Sequence, residues 1–306
     1  MCRCRYLVIW MMPVVLMLAA ALAKPKGSAK EGPAADPAGS IDLPDNVNAA
    51  SLRVSAIDTI YELDLSVAQL NILRGIANQT ADATARSPGA VTPQFLSTLK
   101  EFQTALLEAK DDQQIAKLRN QVIDMVDNPD IHLDTDIVTT ARARAKASAA
   151  CAQLKASQIA AYLAMHAEEV SDPVELMMSA ADSLQEMHGD AGGKSDKAAD
   201  TGDDAESAIA DASLSVGYLV AGTDDTKAHA VTQQVSQWLG ASDKLTDAEF
   251  ATRRQSMEDS AKKIVGDIPP IQVLNNWMME QVAILMSNPQ LPQAIDAILK
   301  CRMQSN

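Results

Sequence analysis

Aromatic side chains are scarce in this sequence: three Trp, four Tyr and three Phe make up 3% of its 306 residues. Leu, Ile, Val, Ala and Met must therefore supply most of any core, which favours helices packed closely through alanine. Alternation of apolar and polar residues, the mark of a half-buried strand, is nearly absent. Basic charge is also in short supply, with 26 Lys and Arg against 40 Asp and Glu. That balance opposes nucleic acid and anionic lipid as partners, because the attraction that dominates nucleic-acid binding needs a basic face. The best local basic run, Arg142, Arg144 and Lys146, reads as a solvated helix face. Beyond residue 23 there is no Gly-x-Ser-x-Gly or Cys-x-x-Cys, so the sequence leans away from an enzyme and calls for no cofactor.

What is present begins with an export signal. Arg3 and Arg5 precede an apolar run over residues 7–22, and Ala21-Leu22-Ala23 supplies the small residues that signal peptidase needs. The run is slightly shorter than the roughly 20 residues of a spanning helix and carries Pro13. Residues 1–23 are thus expected to be a cleavable signal peptide, with a retained anchor as the competing reading. The mature chain would be periplasmic or secreted, without an integral membrane span. Cleavage removes two Arg and no acid, leaving 24 basic and 40 acidic side chains and a net charge of −16. It also leaves Cys151 and Cys301 as the two thiols of the chain, which in an oxidising compartment either form a disulfide or stay as separate buried thiols.

Residues 24–45, rich in Pro, Gly, Ala and Lys, have the composition of a flexible tether. Beyond them apolar residues recur at three and four. The periodicity and its punctuation predict helices over 49–62, 66–84, 93–109, 112–126, 136–151, 156–169, 173–188, 205–221, 224–239, 246–265, 270–287 and 290–303. Ser66 with Gln69 and Thr246 with Glu249 fit capping boxes, while Thr92-Pro93, Asp172-Pro173 and Asn288-Pro289 place a capping oxygen ahead of a proline. In 270–287, Ile271, Leu274, Trp277, Met278, Gln281 and Leu285 form the expected core stripe. Residues 189–204 hold Gly, Ser and five Asp, the composition of a mobile acidic linker. The expected architecture is all-α, an irregular bundle of about twelve helices in two lobes, 46–188 and 205–306.

Few motifs offer chemistry. Gly189 to Ser195 resembles a phosphate-binding loop but is one residue short, follows a helix rather than a strand and carries Asp190. Asp127, Asp130, His132, Asp134 and Asp136 could offer oxygens to calcium, yet the EF-hand glycine and distal Glu are missing; Asp134 or Asp136 reads better as the cap of the next helix. Met165, His166, Met187 and His188, with Met177 and Met178 between them, could be soft ligands for Cu(I), although Val174, Met177, Ala181 and Leu184 form a helical core stripe.

Leu65-Ser66-Val67-Ala68-Gln69 and Leu154-Lys155-Ala156-Ser157-Gln158 resemble the Leu-Thr-x-x-Gln signature of Spy/CpxP-type periplasmic proteins, with Ser66 and Lys155 in place of Thr. The resemblance implies an all-helical exported chaperone or stress-response modulator. With the export signal it points to a non-catalytic interaction protein of the cell envelope that binds other polypeptides through a Met- and Ala-rich groove. The alternatives are a soft-metal or small-ligand binder and an enzyme of unfamiliar design. N-terminal sequencing of protein exported by a bacterium should start at Lys24 or within a few residues of it; an intact Met1 on soluble cytoplasmic protein would rule the signal out.

Overall fold

The computed structural model describes residues 43–166, 170–190 and 201–304, with the side chains of 188–190 and 201–204 excepted. Twelve helices follow one another among them: α1 (Val47–Glu62), α2 (Val67–Thr80), α3 (Pro93–Leu107), α4 (Asp112–Val126), α5 (Ala141–Cys151), α6 (Ala156–Met165), α7 (Pro173–Asp190), α8 (Thr201–Ala221), α9 (Asp225–Ser242), α10 (Asp247–Val265), α11 (Pro270–Ser287) and α12 (Leu291–Gln304). Each segment expected to be helical is a helix, and the fold is an all-α multi-helix bundle. The caps act as their chemistry requires. Ser66 and Gln69 bond each other's backbone N–H, as do Thr246 and Glu249, and Thr92 accepts from Phe95 N.

Three local expectations are corrected. Helix α2 stops at Thr80 rather than residue 84, because the Thr80 hydroxyl donates to Met286 O at 2.7 Å and Asp82 N to Ser287 O at 2.6 Å. Helix α5 starts at Ala141, capped by Thr140 rather than by Asp134 or Asp136. In α11 Trp277, Met278 and Leu285 of the expected stripe are buried together with Val273 and Val282, while Ile271 stands in solvent.

The chain forms two compact units, and it does not divide at 189–204. One unit is Thr139–Ile284; the other is the described chain up to Val138 together with Leu285 onward. Helices α7 and α8, which flank residues 191–200, pack on each other within the first unit, so the lobes 46–188 and 205–306 are not the units of this fold. An acidic, glycine-rich stretch marks chain with no face to bury, and that property belongs equally to a connection inside a bundle and to a linker between domains. Residues 191–200 themselves, like 1–42, lie outside the described residues.

The Thr139–Ile284 unit is built on four helices. Helix α7 packs on α8, α8 on α9, α9 on α10 and α10 back on α7. Gln185 near the end of α7 donates to Ser242 O at the end of α9, so these two run parallel. Arg254 of α10 pairs with Asp182 of α7, and Lys262 near the end of α10 lies within electrostatic reach of Asp172 at the start of α7, so those run antiparallel. The result is an up-down-up-down bundle, with a core of Met177, Ala181, Leu184, Val216, Val220, Val235, Leu239, Phe250, Met257 and Ala261. Small residues set its closest approach. A β-carbon on Gly217 of α8 would stand 2.2 Å from Thr232 Oγ1 and 2.9 Å from Ala228 O of α9. Gly222, with φ +61°, turns the chain from α8 toward α9.

In the other unit α1 is the central helix. Its buried residues Asn48, Ala50, Leu52, Arg53, Val54, Ala56, Ile57 and Ile60 lie on most of its circumference, and it packs on α3 and α12. Helix α12 also packs on α2, antiparallel to it: Arg302 donates to Leu65 O at 2.6 Å and Asp296 meets Arg74 at 2.8 Å. Asn288, just before α12, donates to Leu52 O in the middle of α1 at 2.8 Å.

Gly217→Ala should lower unfolding stability in urea by about 1–3 kcal/mol through overpacking. Gly75→Ala in α2, where a β-carbon meets nothing within 4 Å, should raise it by about 0.5–1 kcal/mol through helix propensity alone. Equal and positive shifts would show that the α8–α9 approach is not close.

Candidate functional site

The residues singled out as soft ligands do not act alike. His166 follows the last turn of α6, where its N–H donates to Tyr162 O at 3.2 Å. Its ring is 4% exposed, whereas Met165 beside it is 54% exposed, so adjacent residues leave the helix end in opposite senses. The imidazole packs 4.4 Å from the Tyr162 ring and 5.5 Å from the Trp277 ring, and those two stack at 5.8 Å. Rings at such separations are in direct contact and leave no room between them for an ion. Met177 and Met178 are buried in the four-helix core, and Met187 packs against that core. The side chain of His188 lies outside the described residues. Among the described residues no three His, Cys, Asp or Glu converge as metal ligands. Cys151 and Cys301 are both half-buried thiols, one in each unit. Burial pushes the Cys151 thiol up to about 11 and raises that of Cys301 as well, so neither is a ready nucleophile.

Helix α11 is the organiser around His166, and sequence reasoning saw only its apolar stripe. Over one turn and a little more, Asn276 donates to Leu219 O of α8 at 2.8 Å, Trp277 joins the α6 rings, and Glu280 receives Arg144 of α5. The Arg144 pair is bidentate, at 3.2 and 3.1 Å, and its guanidinium lies 3.8 Å over the Tyr218 ring of α8. A stacked, paired arginine of this kind contributes through packing as much as through charge. Arg144, read from the sequence as a solvated basic residue, is therefore a tie between three helices.

The other unit holds two further charged clusters. Arg119 of α4 grips Asp58 of α1 at 2.9 and 2.5 Å and Glu62 at 2.8 Å. Burial alone would lower its pKa, but the two carboxylates outweigh burial and raise it. Tyr61, between those carboxylates in sequence, donates to Asp112 at 2.5 Å, and burial together with that acid raises its phenol. A phenol held protonated in this way has no driving force to give up its proton near neutrality.

The second cluster contains part of the aspartate-rich loop considered for calcium. Arg86 sits in it as the cation, donating to Asp136 O at 2.7 Å and to Asp82 at 3.0 Å, with Asp134 at 3.8 Å. Asp134 accepts from Ser87 N. A guanidinium thus occupies the place that a calcium ion would need. No sequence pattern could have paired Arg86 with residues 48 to 50 positions away.

His166→Ala should cost about 1–3 kcal/mol of stability by opening the ring cluster, and by the same amount with or without Cu(I). Were Cu(I) to stabilise the wild-type protein and not the variant, His166 would be a ligand after all. No family model, no curated protein and no solved structure matches this chain.

Proposed function

We propose that this chain is a non-catalytic helical interaction protein, exported to the cell envelope, that binds other polypeptides in the manner of the Spy/CpxP-type proteins its capped helix starts resemble. The observation that carries this reading is how the side chains are allocated. Arg86, Arg119 and Arg144 are taken up in ties between segments of the fold. Large apolar side chains, by contrast, stand in solvent on adjoining helices: Val67 is 48% and Ile72 45% exposed on α2, and Met303 is 72% exposed on α12. Because α2 and α12 run antiparallel with Arg302 at Leu65, Val67 in the first turn of one and Met303 in the last turn of the other lie at the same end of the pair. The flexible thioether of Met303 suits an adaptable contact with varied apolar segments. Met177 and Met178 are core residues and take no part in such a surface.

The test is suppression of aggregation of a reduced, unfolding model polypeptide by the purified protein. Wild-type protein should hold back light scattering at near-stoichiometric ratios, and the Ile72→Lys/Met303→Lys double variant should lose at least about ten-fold in potency, or about 1.4 kcal/mol, with an unchanged circular dichroism spectrum. Equal activity of the two proteins would remove the α2–α12 face from the account. No activity in either would remove the chaperone-like reading.

A further inference from the structure

Segments 82–90 and 132–138 run antiparallel: Ala90 faces His132, Ser87 bonds Asp134 and Asp82 reaches Val138. Only the first of these steps is an ordinary strand pair, with Ala90 N to His132 O at 2.8 Å and His132 N to Ala90 O at 2.7 Å. Beyond it the rungs are charged side chains. Asp134 accepts from Ser87 N, Asp82 accepts from Val138 N at 3.3 Å, and Arg86 donates to Asp134 O at 3.3 Å and Asp136 O at 2.7 Å. One buried side chain of α1 holds both segments, since Asn48 donates to Ser87 O at 2.7 Å and accepts from Asp134 N at 3.0 Å. We propose that these two segments form an electrostatic latch over the N-terminal end of α1, which acid releases as a unit before the surrounding helices come apart.

A backbone ladder is indifferent to pH because amides do not titrate in this range, whereas here most rungs end on an ionised group. Asp82 accepts from Thr84 N at 2.9 Å and from Arg86 as well as from Val138. Protonation removes the charge that Arg86 pairs with and turns part of an acceptor into a donor facing other donors. The side chains of Arg86 and Asp82 are 13% and 4% exposed, so neutralising either leaves the other as a buried charge without its counter-ion. Because Ser87, Arg86 and Asp82 bond across to Asp134, Asp136 and Val138, neither segment can leave alone without breaking those rungs.

The charged groups facing Asp82 are Arg86 on its own segment and Asp134 and Asp136 on the opposite one; Asn48 of α1 and the Ser287 carbonyl carry no charge, and His132 takes part through its backbone. Burial pushes the Asp82 carboxyl up, but Thr84, Val138 and Arg86 outweigh it and hold it below the ordinary 3.8. Its stabilisation is therefore complete above 3.8 and is lost as pH falls below that value. Asp136 acts in the opposite sense. Burial and Asp134 raise its carboxyl, so its contribution is present at low pH and lost as pH rises through the raised value.

Hydrogen exchange by mass spectrometry on the full chain, corrected for intrinsic rates, tests this at pH 7 and at about pH 3. Peptides over 82–90 and 132–138 should lose several-fold of their protection together at the lower pH, while peptides from α3 and α4 keep theirs. Arg86→Gln and Asp82→Asn should each produce the same opening at pH 7. The latch is refuted if the helices lose protection in the same step, if the two segments open separately, or if both remain protected at the lower pH.

Discussion

Both units are held in register by buried polar side chains that donate to backbone carbonyls far along the chain. Asn276 reaches Leu219 O and Gln185 reaches Ser242 O, each across 57 residues, while Asn288 reaches Leu52 O across 236 and Thr80 reaches Met286 O across 206. The need for them follows from the composition. Surfaces of Leu, Val, Ala and Met are nearly interchangeable, so such helices could slide past one another at little cost. A buried donor has one partner in one register, and leaving it unmade costs about 1–3 kcal/mol. The few amides of the core therefore do the specifying that a larger set of aromatic shapes would otherwise do.

This division of labour also explains what could be read from the sequence. Helices and caps are local: the Ser66–Gln69 and Thr246–Glu249 boxes need only four consecutive residues, and they stand as read. The start of α5 is not legible in this way, because Asp134 and Asp136 are good capping residues in isolation, and only the opposite segment, with Ser87 and Arg86, draws them away. The end of α2 is hidden for the same reason, since Thr80 and Asp82 also bond Met286 and Ser287, far along the chain. His166 was legible as an unusual residue but not as a ring partner of Trp277, which lies 111 positions away on another helix. Partition into units was the least legible feature, because composition marks where chain is unburied and not which helices pack together.

Three arginines carry the electrostatic part of the structure. Arg86 gathers a carboxylate and carbonyls from two segments, Arg119 two carboxylates of α1, and Arg144 a carboxylate of α11 and the Tyr218 ring of α8, a task suited to a planar fork that cannot lose its proton. With an excess of acids over bases in the chain, placing the cations where carboxylates are least exposed leaves the outer surface strongly anionic. Such a surface discourages self-association, and contacts with a partner then fall to the apolar side chains that remain uncovered.

The unit centred on α1 is discontinuous, with α12 joining it only after the whole of Thr139–Ile284 has intervened. Vectorial synthesis at roughly 5–20 residues per second therefore leaves α1 to α4 without their C-terminal partner for on the order of ten seconds. The continuous unit, begun later, has all its helices available first. Order of completion is thus reversed with respect to order in the chain, and the apolar face of α1 that α12 finally covers is the surface most in need of a holding factor while the nascent chain is still being made.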